Sequence, residues 1–146
     1  MKLLSFILLI FICPVAFSFR DQIVGVRGKL TCNNRVLQGA RVSLIERNLI
    51  GVDVILAENK TSYQGTFEAV ARGRGLFDMT VDLKLFHSCT DREIQCQRTV
   101  SLRIPSLYIQ RGATVKNYFE IGTMDMAFRY PGEQRFCAGY YEKLFS

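Results

Sequence analysis

The chain has 146 residues, a formal charge of +6 and 49% hydrophobic residues, with one histidine, no tryptophan and 11 phenylalanines. This length supports one ordinary hydrophobic core and is too short for two, while the apolar content excludes a disordered tail or linker. The basic excess is mild and forms no dense Lys/Arg run, which excludes a nucleic-acid binder.

Lys2 is followed by an apolar run over residues 3–12, interrupted only by Ser5, and then by Ala16, Phe17 and Ser18. That order predicts a secretory signal peptide over residues 1–18. The run is too short for a bilayer crossing, which takes about 20 apolar residues, and no later stretch approaches that length. The exported product is expected to be a single soluble domain over residues 19–146. Losing Lys2 leaves 18 basic against 13 acidic residues, a charge of +5.

Strand periodicity starts at Val24. Val24, Val26, Leu30 and Cys32 share one face and Arg27, Lys29 and Thr31 the other, as a half-buried strand requires; Asn33-Asn34 supplies turn chemistry. A second strand over residues 40–47 points Val42 and Leu44 inward and Arg41, Ser43 and Arg47 outward. A short edge strand is expected over residues 54–57, and another over residues 66–69 anchored by Phe67. Arg72-Gly73-Arg74-Gly75 reads as a flexible basic loop. The clearest alternation places Met79, Val81, Leu83, Leu85 and His87 on one face and Thr80, Asp82, Lys84 and Phe86 opposite. Its partner has Val100, Leu102 and Ile104 inward, Thr99, Ser101 and Arg103 outward, and stops at Pro105 because proline has no amide to donate. One irregular or helical turn fits residues 106–111. Two last strands are expected, one holding Val115, Asn117, Phe119 and Ile121 and one holding Met124, Met126, Phe128 and Tyr130, with Gly122 as the turn between them. Seven or eight short strands with regular turns indicate an all-β, antiparallel β-sandwich whose two inner faces interdigitate.

Cleavage removes Cys13 and leaves Cys32, Cys89, Cys96 and Cys137, an even set that predicts two disulfides in an oxidising compartment. Three pairings are formally open. Cys89 and Cys96 are separated by six turn-rich residues, so the simplest pairing is Cys89 with Cys96 and Cys32 with Cys137. Structural zinc sites present ligands in close pairs, and this spacing does not; no metal or cofactor is expected.

The stretches at residues 24–33 (VGVRGKLTCN), Lys60-Thr61 leading to residues 65–68 (GTFE), residues 87–89 (HSC), 96–98 (CQR) and 131–133 (PGE) running to Cys137 resemble the nematode transthyretin-like family across nearly the whole exported chain. The family's acidic turn is replaced by Ser62-Tyr63-Gln64, and its Asp-Pro by Asp78-Met79. The resemblance implies a transthyretin-like (prealbumin-like) sandwich of two four-stranded sheets. It also implies an extracellular binding or signalling protein, some relatives of which recognise exposed anionic phospholipid.

A related branch of the fold hydrolyses 5-hydroxyisourate with histidines, an arginine and a C-terminal Tyr-Arg-Gly-Ser. This chain has a single histidine, of interior parity, and ends in Tyr140-Tyr141-Glu142-Lys143-Leu144-Phe145-Ser146, so the base and positioned donors of that chemistry are missing and no enzyme is expected. A carrier of a small apolar ligand would use an outer face that here holds Arg27, Lys29, Lys116, Tyr118, Glu120, Asp125 and Arg129, whose desolvation opposes such a ligand. On the other sheet, the strand order implied by the resemblance sets Arg41, Arg47, Lys84 and Arg103 side by side near Phe86, which reads either as an ordinary solvated face, since scattered surface cations are common, or as a basic stripe for anionic lipid or an acidic receptor. Asn59-Lys60-Thr61 is the one glycosylation sequon, and the loop position expected for it makes Asn59 an accessible site for a glycan. Sequence therefore points to a secreted, non-enzymatic binding protein that bridges an anionic lipid or cell surface to a protein receptor.

Overall fold

A computed structural model describes residues 19–48, 50–92 and 96–138. The signal peptide expected over residues 1–18 and the C-terminal residues 139–146 lie outside the described residues. The strands are β1 (Arg20–Cys32), β2 (Arg35–Val36), β3 (Arg41–Arg47), β4 (Asp53–Lys60), β5 (Thr66–Gly75), β6 (Val81–His87), β7 (Cys96–Arg103), β8 (Gln110–Arg111), β9 (Tyr118–Asp125) and β10 (Gln134–Cys137). A 3-10 turn, Ser106–Tyr108, follows Pro105, where one irregular turn was expected.

Two sheets stack. In the first, β1 is flanked by β5 and β9, with β2 and β8 pairing its two ends; the second runs β10-β7-β6-β3-β4. All pairings are antiparallel except that of β1 with β9. The inward alternation read from sequence forms the core. Val24, Val26 and Leu30 of β1 and Phe67, Ala69 and Ala71 of β5 meet Val42 and Leu44 of β3, Val81, Leu83 and Leu85 of β6 and Val100 of β7. Strand residues of both sheets thus remove each other's apolar faces from water, the main favourable term in folding. Asn33 and Asn34 both take positive φ in the β1–β2 hairpin, the backbone that a two-residue hairpin turn requires.

Four expectations are corrected. Arg72-Gly73-Arg74-Gly75 is the end of β5, laddered to Arg20–Ile23 of β1, because a partner strand supplies hydrogen bonds that outweigh glycine's freedom. β4 extends over eight residues, beyond the short segment expected. Gly122 does turn the backbone, with φ of 69°, but inside β9: the register moves from Arg27–Glu120 to Lys29–Thr123, so β9 carries one extra residue in a bulge. A left-handed glycine serves a bulge as well as a hairpin, and the parallel partner selects the bulge. The ladder with β1 continues to Asp125, beyond which the chain leaves the sheet, and Phe128, expected on one strand face with Met124, Met126 and Tyr130, is 67% exposed.

The disulfide pairing is also corrected. Cys32 bonds Cys89 and Cys96 bonds Cys137. Cys89 and Cys96 bracket the same connection, yet Cys89 is buried against the core and bonds the end of β1 in the opposite sheet. Cys96 stands directly opposite Cys137 in the β7–β10 ladder, Cα atoms 4.0 Å apart. Direction of the side chains, rather than shortness of the loop, decides the partners.

Candidate functional site

The structure does bring Arg41, Arg47, Lys84 and Arg103 to one outer face, because β3, β6 and β7 are neighbours in register. It also opposes them with acid. Arg41 lies 3.9 Å over the Phe86 ring and 3.5 Å from Glu58. Lys84 pairs with Asp53 at 3.2 Å. Asp82, with a side chain only 5% exposed, receives Arg47 at 2.7 Å and Arg103 from the strand on its other side. Four cations therefore meet three carboxylates, and the face is a charge-paired lattice rather than an open basic stripe. Two of the acids stand on β4, at positions outside the short edge strand that the sequence indicated; their part in the face was hidden for that reason.

His87 ends β6 on the interior side, 3% exposed. Its Nδ1 accepts the Cys89 amide at 3.2 Å, and its Nε2 meets no hydrogen-bond partner among the described residues. Burial, reinforced by the Arg98 charge, lowers its pKa to about 4. The imidazole is neutral at ordinary pH, and the hydroxyl of the adjacent Ser88 donates to the Cys96 carbonyl at 3.0 Å. Among the described residues no group of three or more His, Cys, Asp or Glu side chains is gathered as a metal site would need.

Arg98, on β7 opposite His87, ties the polar end of the sandwich together. Its Nε and Nη2 engage both carboxylate oxygens of Glu133, the second at 3.0 Å. Nη1 donates to the carbonyls of Cys89 (3.2 Å) and Met126 (3.1 Å) and to the Thr90 hydroxyl, and Nη2 donates to the Phe128 carbonyl at 2.9 Å. Burial pushes the Glu133 carboxyl upward, but the Arg98 hydrogen bonds hold it below the usual range. The planar fork thus joins the turn after β6 to the loop that leads into β10. Between these walls lies an open cleft of about 720 Å³, bordered by Arg92, Arg98, Arg129, Tyr130, Glu133 and Arg135. Arg135 makes a two-pronged pair with Asp91, at 2.7 and 3.0 Å. Sequence reading did not assemble this cleft, since its residues come from three separate segments; Arg98 and Glu133 stand in two of the stretches that carry the family resemblance, but nothing local shows that they meet.

On the first sheet, the Arg27 guanidinium lies 3.5 Å over the Tyr118 ring, and Glu68 accepts from both Arg27 (2.8 Å) and the Tyr118 hydroxyl (3.0 Å). Those two hydrogen bonds keep the Glu68 carboxyl below its ordinary range, and the Glu68 bond raises Arg27. Beside them is a second open groove of about 720 Å³ lined by Arg27, Lys29, Lys60, Glu68 and Glu120 among others. This charged trough is unlike the enclosed apolar cavity that a small-ligand carrier needs. Asn59 also borders it, on edge strand β4 rather than in the loop expected, with Nδ2 donating to the Glu68 carbonyl at 2.8 Å. The sequon's Thr61 is buried, its hydroxyl bonded to Leu37 and Ala40 backbone.

Residues 27–105 match the model of the Transthyretin-like family (TTR-52). The chain is 36% identical to Transthyretin-like protein 5 of Caenorhabditis elegans over 135 residues, which cover 89% of this chain and 97% of that protein. It is 26% identical to Transthyretin-like protein 2 of the same organism, over 92% of this chain and 95% of that one, and 34% identical to Transthyretin-like protein 33, over 80% and 82%. Together with the two-sheet sandwich, these matches show that the chain belongs to the transthyretin-like family.

Proposed function

We propose that this protein is a secreted, non-enzymatic binding module that presents a rigid sandwich surface to an extracellular partner, in its specific form bridging an anionic lipid or cell surface to a protein receptor. The observation that carries the non-enzymatic reading is the burial of His87: the one histidine of the chain is buried and neutral at ordinary pH. Export is supported by the predicted leader and by two disulfides, bonds that persist in oxidising compartments. A scaffold stapled in this way holds its loops in place before a partner arrives, which lowers the ordering cost of binding. Asn59 is exposed and is proposed to carry a glycan; digestion with an N-glycosidase should lower the mass of the secreted protein, and an unchanged mass removes that assignment.

The main test is sedimentation with vesicles of increasing anionic lipid content at two salt concentrations, run beside a pull-down from extracellular fluid. Bound protein should rise with anionic content and fall with salt. A response flat in anionic content would sink the lipid-bridging reading.

A further inference from the structure

The polar cleft beside Arg98 differs from the outer sheet face in one respect that bears on ligands. Four guanidinium groups border it, and two are already committed: Arg98 to Glu133 and three backbone carbonyls, Arg135 to Asp91. Arg92 and Arg129 are exposed and enter no ion pair among the described residues. Counting the lining side chains among the described residues, four arginines less Asp91 and Glu133 leave a charge of +2 within one concavity. On the sheet face the comparable balance is +1, spread over four strands.

We propose that this cleft is a binding site for a phosphate group, with Arg92 and Arg129 as the contacting cations. This rests on the binding reading above and gives it a location. A guanidinium offers parallel N–H donors that match two oxygens of a tetrahedral oxyanion, and two such forks in one concavity suit one phosphate better than scattered lysines would. The walls are held before the ligand arrives, because the Arg98 fork and the Cys96–Cys137 bond fix the turn after β6, the loop into β10 and β10 itself to β7. About 720 Å³ leaves room for a phosphate with its ester substituent. Phe128, 67% exposed, directly precedes Arg129 in the chain, so an apolar side chain accompanies the charged one at the cleft's loop. The phosphate therefore has two possible sources, a lipid headgroup or a free phosphate.

The experiment titrates inorganic phosphate, and separately vesicles containing an anionic phospholipid, into the exported, disulfide-intact protein. It is repeated on Arg92→Gln/Arg129→Gln and on Arg41→Gln/Arg103→Gln, with thermal melts to verify folding. Phosphate affinity should fall at least about ten-fold in the cleft variant, since each charge-assisted hydrogen bond lost is worth about that factor, and should stay within about two-fold in the sheet-face variant. Vesicle binding that falls in parallel assigns the phosphate to a lipid headgroup. Phosphate binding without vesicle binding keeps the cleft, assigns it to a free phosphate and overturns the lipid reading of function. No phosphate binding by the parent protein, or equal binding by the folded cleft variant, overturns the site.

Discussion

His87 holds its hydrogen bonds unevenly, with Nδ1 accepting the Cys89 amide while Nε2 has no partner among the described residues. Protonation would remove that acceptor and place a charge beside Arg98, and the weaker attraction of Glu133 and Asp91 acts the other way. Its folded pKa of about 4 lies below the unfolded value near 6.5. Between those values the unfolded chain binds the proton and the folded chain does not, so the contribution is complete above about pH 6.5 and is lost as pH falls toward 4. The loss should reach on the order of 2 to 3 kcal/mol. Urea midpoints of the parent and of His87→Leu, compared at pH 7.5 and 4.5, should show the smaller pH-dependent drop in the variant; equal drops would refute the assignment. The interior position was legible from the shared parity with Leu83 and Leu85. The missing partner was not, because it depends on whether a neighbouring strand brings an acceptor to the Nε2 proton, and the guanidinium of Arg98 offers only donors.

β1 shows how far alternation reaches at the level of an element. Its inward positions, Val24, Val26 and Leu30, are all fully buried. Its outer face is shaped by glycine instead. A Cβ on Gly25 would lie 2.6 Å from the Tyr118 ring and 2.9 Å from a Val115 methyl group. That close approach seats Tyr118 against the strand, where its ring supports Arg27 and its hydroxyl reaches Glu68. Gly25→Ala should therefore destabilise the fold by about 1 to 3 kcal/mol through overpacking and displace the tyrosine. A lowered urea midpoint with an altered near-UV tyrosine signal is the expected outcome, and an unchanged midpoint would count against it. The sequence shows Gly25 as a gap in the alternation, but the ring that fills the gap arrives from 93 positions along the chain, on the parallel strand β9.

Across the whole molecule, two disulfides close successive loops with sequence separations of 57 and 41. In the chain-entropy account each is worth about 4 kcal/mol. They do different things: Cys32–Cys89 joins one sheet to the other, while Cys96–Cys137 secures β10 to β7 and with it one wall of the cleft. Peptide mapping without reduction should recover Cys32 linked to Cys89 and Cys96 linked to Cys137; a Cys89–Cys96 peptide would refute the arrangement. Cys96→Ser/Cys137→Ser should lower stability by up to about 4 kcal/mol. Composition, strand alternation and the count of cysteines were enough to establish an all-β sandwich with two disulfides, since period-two burial and turn residues are local properties of the chain. Which cysteine meets which, which arginines are matched by acid and which two remain to border a cleft were settled only in three dimensions. Those outcomes depend on side-chain direction and strand register between segments tens of residues apart, and neither is encoded in any short stretch of sequence.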